Sequence, residues 1–148
     1  MDPRAGKGDR GAGDPVREFL RARGCPDHVV RGGLEGLVAD WERVAQAVEQ
    51  GYPLDTLDDY LNDMDVRELI AEAMVAVPKS LVDARAARLG AADARIRAAL
   101  IPSGRCLWGE AIATSRGWKP AREWWYFMRP ARPGPGLRAD LGLDGEES

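Results

Sequence analysis

The chain has 148 residues, with 21 basic and 24 acidic side chains and a formal charge of −3. Hydrophobic residues at 45% and charged residues at 30% match an ordinary globular protein, and the length fits one domain. No apolar run approaches the ~18 residues of a membrane span, and the N-terminal segment lacks the apolar stretch of a secretory signal, so a cytoplasmic protein without a membrane role is expected.

Two cysteines, Cys25 and Cys106, cannot make a disulfide framework. A single histidine, His28, excludes any mechanism or metal site that needs two from one chain. Arginine outnumbers lysine 18 to 3 and alanine reaches 22, a bias that points to a GC-rich bacterial genome.

Residues 1–15 are rich in glycine and proline and read as a disordered tail. Val16, Phe19 and Leu20 start a short helix that ends at Gly24. Pro26 and Asp27 restart the chain, and Val30, Leu34, Leu37, Trp41, Val44 and Val48 then fall on one helical face. Gly32 and Gly36 interrupt that helix, and close approach of another helix or a Trp ring is the expected reason. The run Gly32–Gly36 is no phosphate loop, because no strand precedes it and no Gly-Lys-Ser/Thr follows.

Thr56 with Asp59 forms a capping signature, and a break or recap is expected at Asn62–Asp63. Val66, Leu69, Ile70, Ala73, Met74 and Val77 continue the helical period to Pro78. Ser80 with Asp83 repeats the cap pattern ahead of a stripe from Leu81 to Leu100. Beyond Gly104, Cys106–Trp108 and Trp124–Met128 favour extended backbone and predict a two-stranded ribbon, with one helical turn at Glu110–Ser115 and with a helix as the alternative for Ala121–Met128. Residues 129–148 read as a Pro/Gly-rich, acidic tail, in which docking of a short Leu137–Leu141 turn is the alternative. The expected fold is mainly α: a compact bundle of four to five helices over residues 16–128, with a possible short aromatic-rich β-ribbon near the C-terminus.

Charge is unevenly laid out. Residues 35–75 carry eleven acids and two arginines, whereas residues 79–138 carry twelve basic residues and four acids. The plain expectation is that these halves face each other or solvate their own surfaces. Arg85, Arg88, Arg95 and Arg97 could instead contact nucleic acid, although an overall pI near 5.3 argues against it.

Two candidate surfaces follow. Asp58, Asp59, Asn62, Asp63 and Asp65 mark an acidic helix face, and Trp108, Trp118, Trp124, Trp125 and Arg129 mark an aromatic one. Adjacent Trp124 and Trp125 on a strand would point to opposite faces, leaving one exposed or covered by the tail. Cys25 and His28 are read as a small filler and an ordinary first-turn residue. The leading expectation is a non-enzymatic module that binds another protein, as an inhibitor, immunity-type neutraliser or adaptor. The alternative is a hydrolase holding Mg²⁺ or Mn²⁺ on Asp59, Asp63 and Glu110, since hard divalent cations favour carboxylate oxygens.

Overall fold

The structure is a computed structural model that describes residues 14–144. The expected disordered segment lies outside the described residues except for Asp14 and Pro15. Asp14 accepts the Arg17 N–H at 3.1 Å and caps helix α1 (Pro15–Ala22), and Pro15 takes its first position. Helix α2 (Asp27–Gln50) buries the whole predicted stripe from Val30 to Val48. It is not continuous, however. Gly33 sits at φ 61°, ψ −157°, a backbone region essentially closed to residues with a Cβ, and kinks the helix. The expected close approach at Gly32 and Gly36 is absent, since a Cβ at either would meet nothing within 4 Å.

Helix α3 (Leu57–Ala76) opens on the predicted cap, with Asp59 Oδ2 accepting the Thr56 N–H at 2.9 Å. It runs unbroken through Asn62–Asp63, because Asp63 accepts the Tyr52 hydroxyl at 2.7 Å and caps no helix. Val77 turns extended before Pro78, as expected. The next cap is a correction: Pro78 precedes the five-residue α4 (Lys79–Asp83), and Asp83 pairs with Lys79 at 2.8 Å. Helix α5 (Ala86–Ala98) follows.

Helices α2, α3 and α5 meet around Asp93, which accepts the Trp41 indole and the Arg67 guanidinium. Arg67 is thus a structural ion-pair partner. The charge halves do face each other. Arg88 bridges Glu35 and Glu42 at 2.6 and 2.7 Å, Arg95 takes Glu49 at 2.7 Å, and Arg85 reaches Glu35 at 3.3 Å. Glu35, Glu42 and Glu49 stand seven residues apart on α2, so two turns of helix separate successive rungs.

The C-terminal third departs most from expectation. A ribbon exists, but its strands are β1 (Leu100–Pro102) and β2 (Met128–Pro130), antiparallel with Ile101 opposite Arg129. Cys106–Trp108 forms a turn, Glu110–Arg116 forms α6, and Trp124–Tyr126 is a single 3-10 turn. The 3-10 geometry lets both Trp124 and Trp125 be buried, which a strand would forbid.

The segment read as a C-terminal tail is packed through Leu141. Helix α7 (Pro135–Asp140) buries Leu137 completely, and Asp140 accepts the Leu57 N–H at 3.0 Å. Glycines make this docking possible. The Gly134 N–H reaches the Gly51 carbonyl at 2.6 Å, and a Cβ on Gly134 would lie 2.6 Å from Pro53 Cα. The fold is mainly α, with seven α-helices among the described residues where four to five were expected, the additional ones being short. None of these helices is long and apolar enough to cross a membrane.

Candidate functional site: two clefts that share Glu68

The two candidate surfaces meet at one carboxylate. Asp65 Oδ1 accepts the Tyr126 hydroxyl at 2.6 Å and the Trp108 Nε1–H at 3.1 Å. These bonds fix two rings against α3, and Trp118 stacks on Tyr126 with centroids 4.0 Å apart. The Arg116 guanidinium lies over Trp118, 5.8 Å from its centroid. The result is a cleft of about 440 Å³ between α3, α6 and the α1–α2 turn. Its floor includes Glu68 and Leu69, its lip Ile112, and Arg23 and Cys25 close one side. That volume lies in the range of ordinary small-ligand sites.

A second cleft, of about 630 Å³, opens on the other side of Glu68. Ala71, Met74 and Val75 of α3 form one wall, and Trp124 and Trp125 form the other. Val75 is 89% exposed, a large aliphatic side chain standing in water at the cleft lip. Arg67 sits 4.8 Å from the Trp125 ring centroid and Arg97 4.8 Å from that of Trp124, so both indoles are clamped.

Two polar atoms in these walls have no partner. Glu68 Oε1 and Trp125 Nε1 are shut from solvent without a hydrogen bond, although each residue lines the second cleft. Such orphans are rare in native structures, because each costs roughly 1–3 kcal/mol. Burial pushes the Glu68 carboxyl up to about 7, and the neighbouring Glu72 adds to the shift. Glu72 goes the other way. Its hydrogen bond to Arg23, at 2.6 Å, holds it below the usual carboxylate range.

The predicted residues divide clearly. Asp65, Trp108 and Trp118 converge on the first cleft, and Trp124 and Trp125 line the second. Trp118, Trp124 and Trp125 are buried and Trp108 is half-buried, so of the two alternatives for the adjacent tryptophans it is the covered one that is found. Asp58, Asp59 and Asn62 lie exposed in the first turns of α3, away from both clefts. Asp63 is half-buried under Tyr52, and burial raises its carboxyl above the ordinary range. Arg129 belongs to β2, where its side chain donates to the Pro130 carbonyl at 3.0 Å.

The metal set does not assemble. Asp59 binds Thr56, Asp63 binds Tyr52, and Glu110 accepts the Cys106 N–H at 3.0 Å. Among the described residues no three His, Cys, Asp or Glu side chains are grouped to hold a metal ion. The arginine face offered to nucleic acid is likewise engaged, by Glu35, Glu42, Glu49 and the Trp124 ring.

Sequence reasoning missed Glu68, Arg23, Ile112 and Arg116 as cleft residues. One signal was available: Glu68 and Glu72 are like charges at i, i+4, bordering the apolar stripe of Leu69 and Ala73. No family model matches this chain, and neither a curated protein nor a solved structure matches it.

Proposed function

We propose that the protein is a non-enzymatic binding module that engages another protein across the α3 face flanked by the two clefts. One observation carries this reading. An orphan acceptor, Glu68 Oε1, and an orphan donor, Trp125 Nε1, belong to residues on the walls of one cleft whose lip bears the exposed Val75. A backbone amide supplies the complement of both, an N–H for the carboxyl oxygen and a carbonyl for the indole, once the Glu68 and Trp125 side chains turn outward to meet it. The partner is therefore a segment that presents a backbone amide to the cleft and an aliphatic side chain to Met74 and Val75. Rigid aromatic walls beside an exposed aliphatic lip suit the few residues that dominate interface energetics. An inhibitor, an immunity-type neutraliser or an adaptor would all use such a face. A cytoplasmic setting fits the free thiols of Cys25 and Cys106.

A photocrosslinking residue placed at Val75 in the full chain, expressed in its native host, tests this. The expected result is one discrete adduct with a single identified partner, weakened by Trp125→Phe and Glu68→Gln. The control is Leu54, 95% exposed in the α2–α3 turn, which should give no such adduct. Equal crosslinking at both positions, or none at Val75, would overturn the reading.

A further inference from the structure

We propose that the aromatic cleft between α3 and α6 takes a cationic side chain, arginine or lysine, of the bound partner, held against the Trp108 ring and beside the Glu68 carboxylate. This rests on the protein-binding reading and names the chemistry that the partner must present.

The cleft is short of one positive charge. The charged groups that line the cleft beside Glu68 are Arg23, Asp65 and Arg116, with Glu72 behind Arg23, and their pairing can be followed one by one. Arg23 is held by Glu72 at 2.6 and 3.2 Å, so that pair is internally neutral. Arg116 is exposed and rests on the Trp118 ring at the cleft mouth. Asp65 accepts only neutral donors, the Trp108 indole and the Tyr126 hydroxyl. Arg116 acts on Glu72 as well, so Arg23 and Arg116 are the two cations set among three acids, Asp65, Glu68 and Glu72. Arg23 acts on Glu68 only from its place on Glu72, so an ionised Glu68 has no ion pair of its own among the described residues, and Glu72 and, from the other side, Glu123 add to its negative surroundings.

At neutral pH a proton partly fills that gap, since burial and Glu72 raise the Glu68 carboxyl to about 7. A guanidinium or ammonium group does so permanently, and the aromatic walls add the attraction of a ring face for a cation. Uptake of such a group must then displace the proton from Glu68. Affinity should rise with pH until Glu68 is ionised and level off above. Cys25 is half-buried at the far side, where an aliphatic stem rather than a charge would contact it.

The test uses the full chain and two neutral-backbone probes, N-acetylarginine amide and its uncharged isostere N-acetylcitrulline amide. Binding is followed through the indole NMR signals of Trp108 and Trp118. The arginine probe should bind about tenfold more tightly at pH 8 than at pH 6, the ratio of ionised Glu68 at those two values for a midpoint near 7. Glu68→Gln, which mimics the protonated acid and should fold normally, should weaken binding at pH 8 to the pH 6 level and abolish the pH dependence. Citrulline should not bind. Equal uptake of both probes, pH-independent arginine binding, or no response up to the solubility limit would overturn the proposal. A Val75 adduct without arginine uptake would remove this ligand class and leave protein binding standing. Arginine uptake without the adduct would support the cleft chemistry and overturn its protein source.

Discussion

Asp93 and Arg67 form a bidentate pair, with Nε to Oδ1 and Nη2 to Oδ2 both at 2.9 Å. The same Oδ1 also accepts the Trp41 indole N–H at 2.8 Å, so a single carboxylate ties α5 to α3 and to α2. Arg67 is 11% exposed and continues onto the Trp125 ring. This network fixes where the Trp124–Trp125 turn sits relative to α3, and hence the shape of the second cleft.

Removing one partner of such a pair strands the other charge in the interior. Asp93→Ala should therefore cost about 3–5 kcal/mol in urea unfolding. Asp93→Asn retains an acceptor for Trp41 and should cost less. If Asp93→Ala proves neutral, the three-helix junction does not depend on this carboxylate.

The glycines separate by geometry. Gly36 is helical, and a methyl group added there would meet nothing within 4 Å, so Gly36→Ala should raise stability by about 0.5–1 kcal/mol. Gly134→Ala places a methyl 2.6 Å from Pro53 Cα and should cost about 1–3 kcal/mol as α7 lifts from the bundle. Thermal melts of the two variants should move in opposite directions. A Gly134→Ala melt equal to wild type would mean that the C-terminal segment does not contribute to the fold.

Glu68 sets a pH dependence whose sign is opposite to that of most carboxylates. Its folded state holds a proton up to about 7, whereas the unfolded chain releases it near 4.5. The native state thus binds more protons between those values, and stability falls as pH rises through that window. Glu68→Gln should match the wild type at pH 5 and exceed it at pH 8. The gain is about 1 kcal/mol, below the full linkage value because the carboxyl is only half-buried and solvent screens it. Parallel pH–stability curves for the two proteins would contradict the raised carboxyl.

Divalent cations should leave the melting temperature unchanged, because Asp59, Asp63 and Glu110 are each bound to a protein donor. Melts with Mg²⁺ and Mn²⁺ check this. A metal at 100 times its dissociation constant would add about 2.7 kcal/mol. A shift of that size, lost in Asp59→Asn, would restore the metal reading.

Helical period and caps were legible because they are local. The Val30–Val48 stripe, the Thr56 cap and the stop at Pro78 depend on residues within a few positions of one another. The Gly33 kink was hidden, since Gly32, Gly33 and Gly36 look alike in sequence and only one takes a positive φ. The C-terminal segment misled for a related reason. Its Pro and Gly content resembles that of a tail, yet Gly134 is used for a backbone contact with Gly51, 83 residues away. The charge ladder was foreseeable in outline, and the seven-residue spacing of Glu35, Glu42 and Glu49 was its unread signature. The cleft itself depends on tertiary placement. Nothing in the sequence near Asp65 indicates that it receives Trp108 and Tyr126, 43 and 61 residues on.

Glu68 is the centre of both proposals, as a half-buried acid without an ion pair of its own among the described residues, since Arg23 beside it is held by Glu72. The most direct measurement is the side-chain carboxyl ¹³C titration of Glu68 in the full chain, alone and with N-acetylarginine amide. A midpoint near about 7 that falls when the arginine probe is added is the predicted result. A midpoint in the ordinary glutamate range, unmoved by the probe, would contradict both the missing charge and the site built on it.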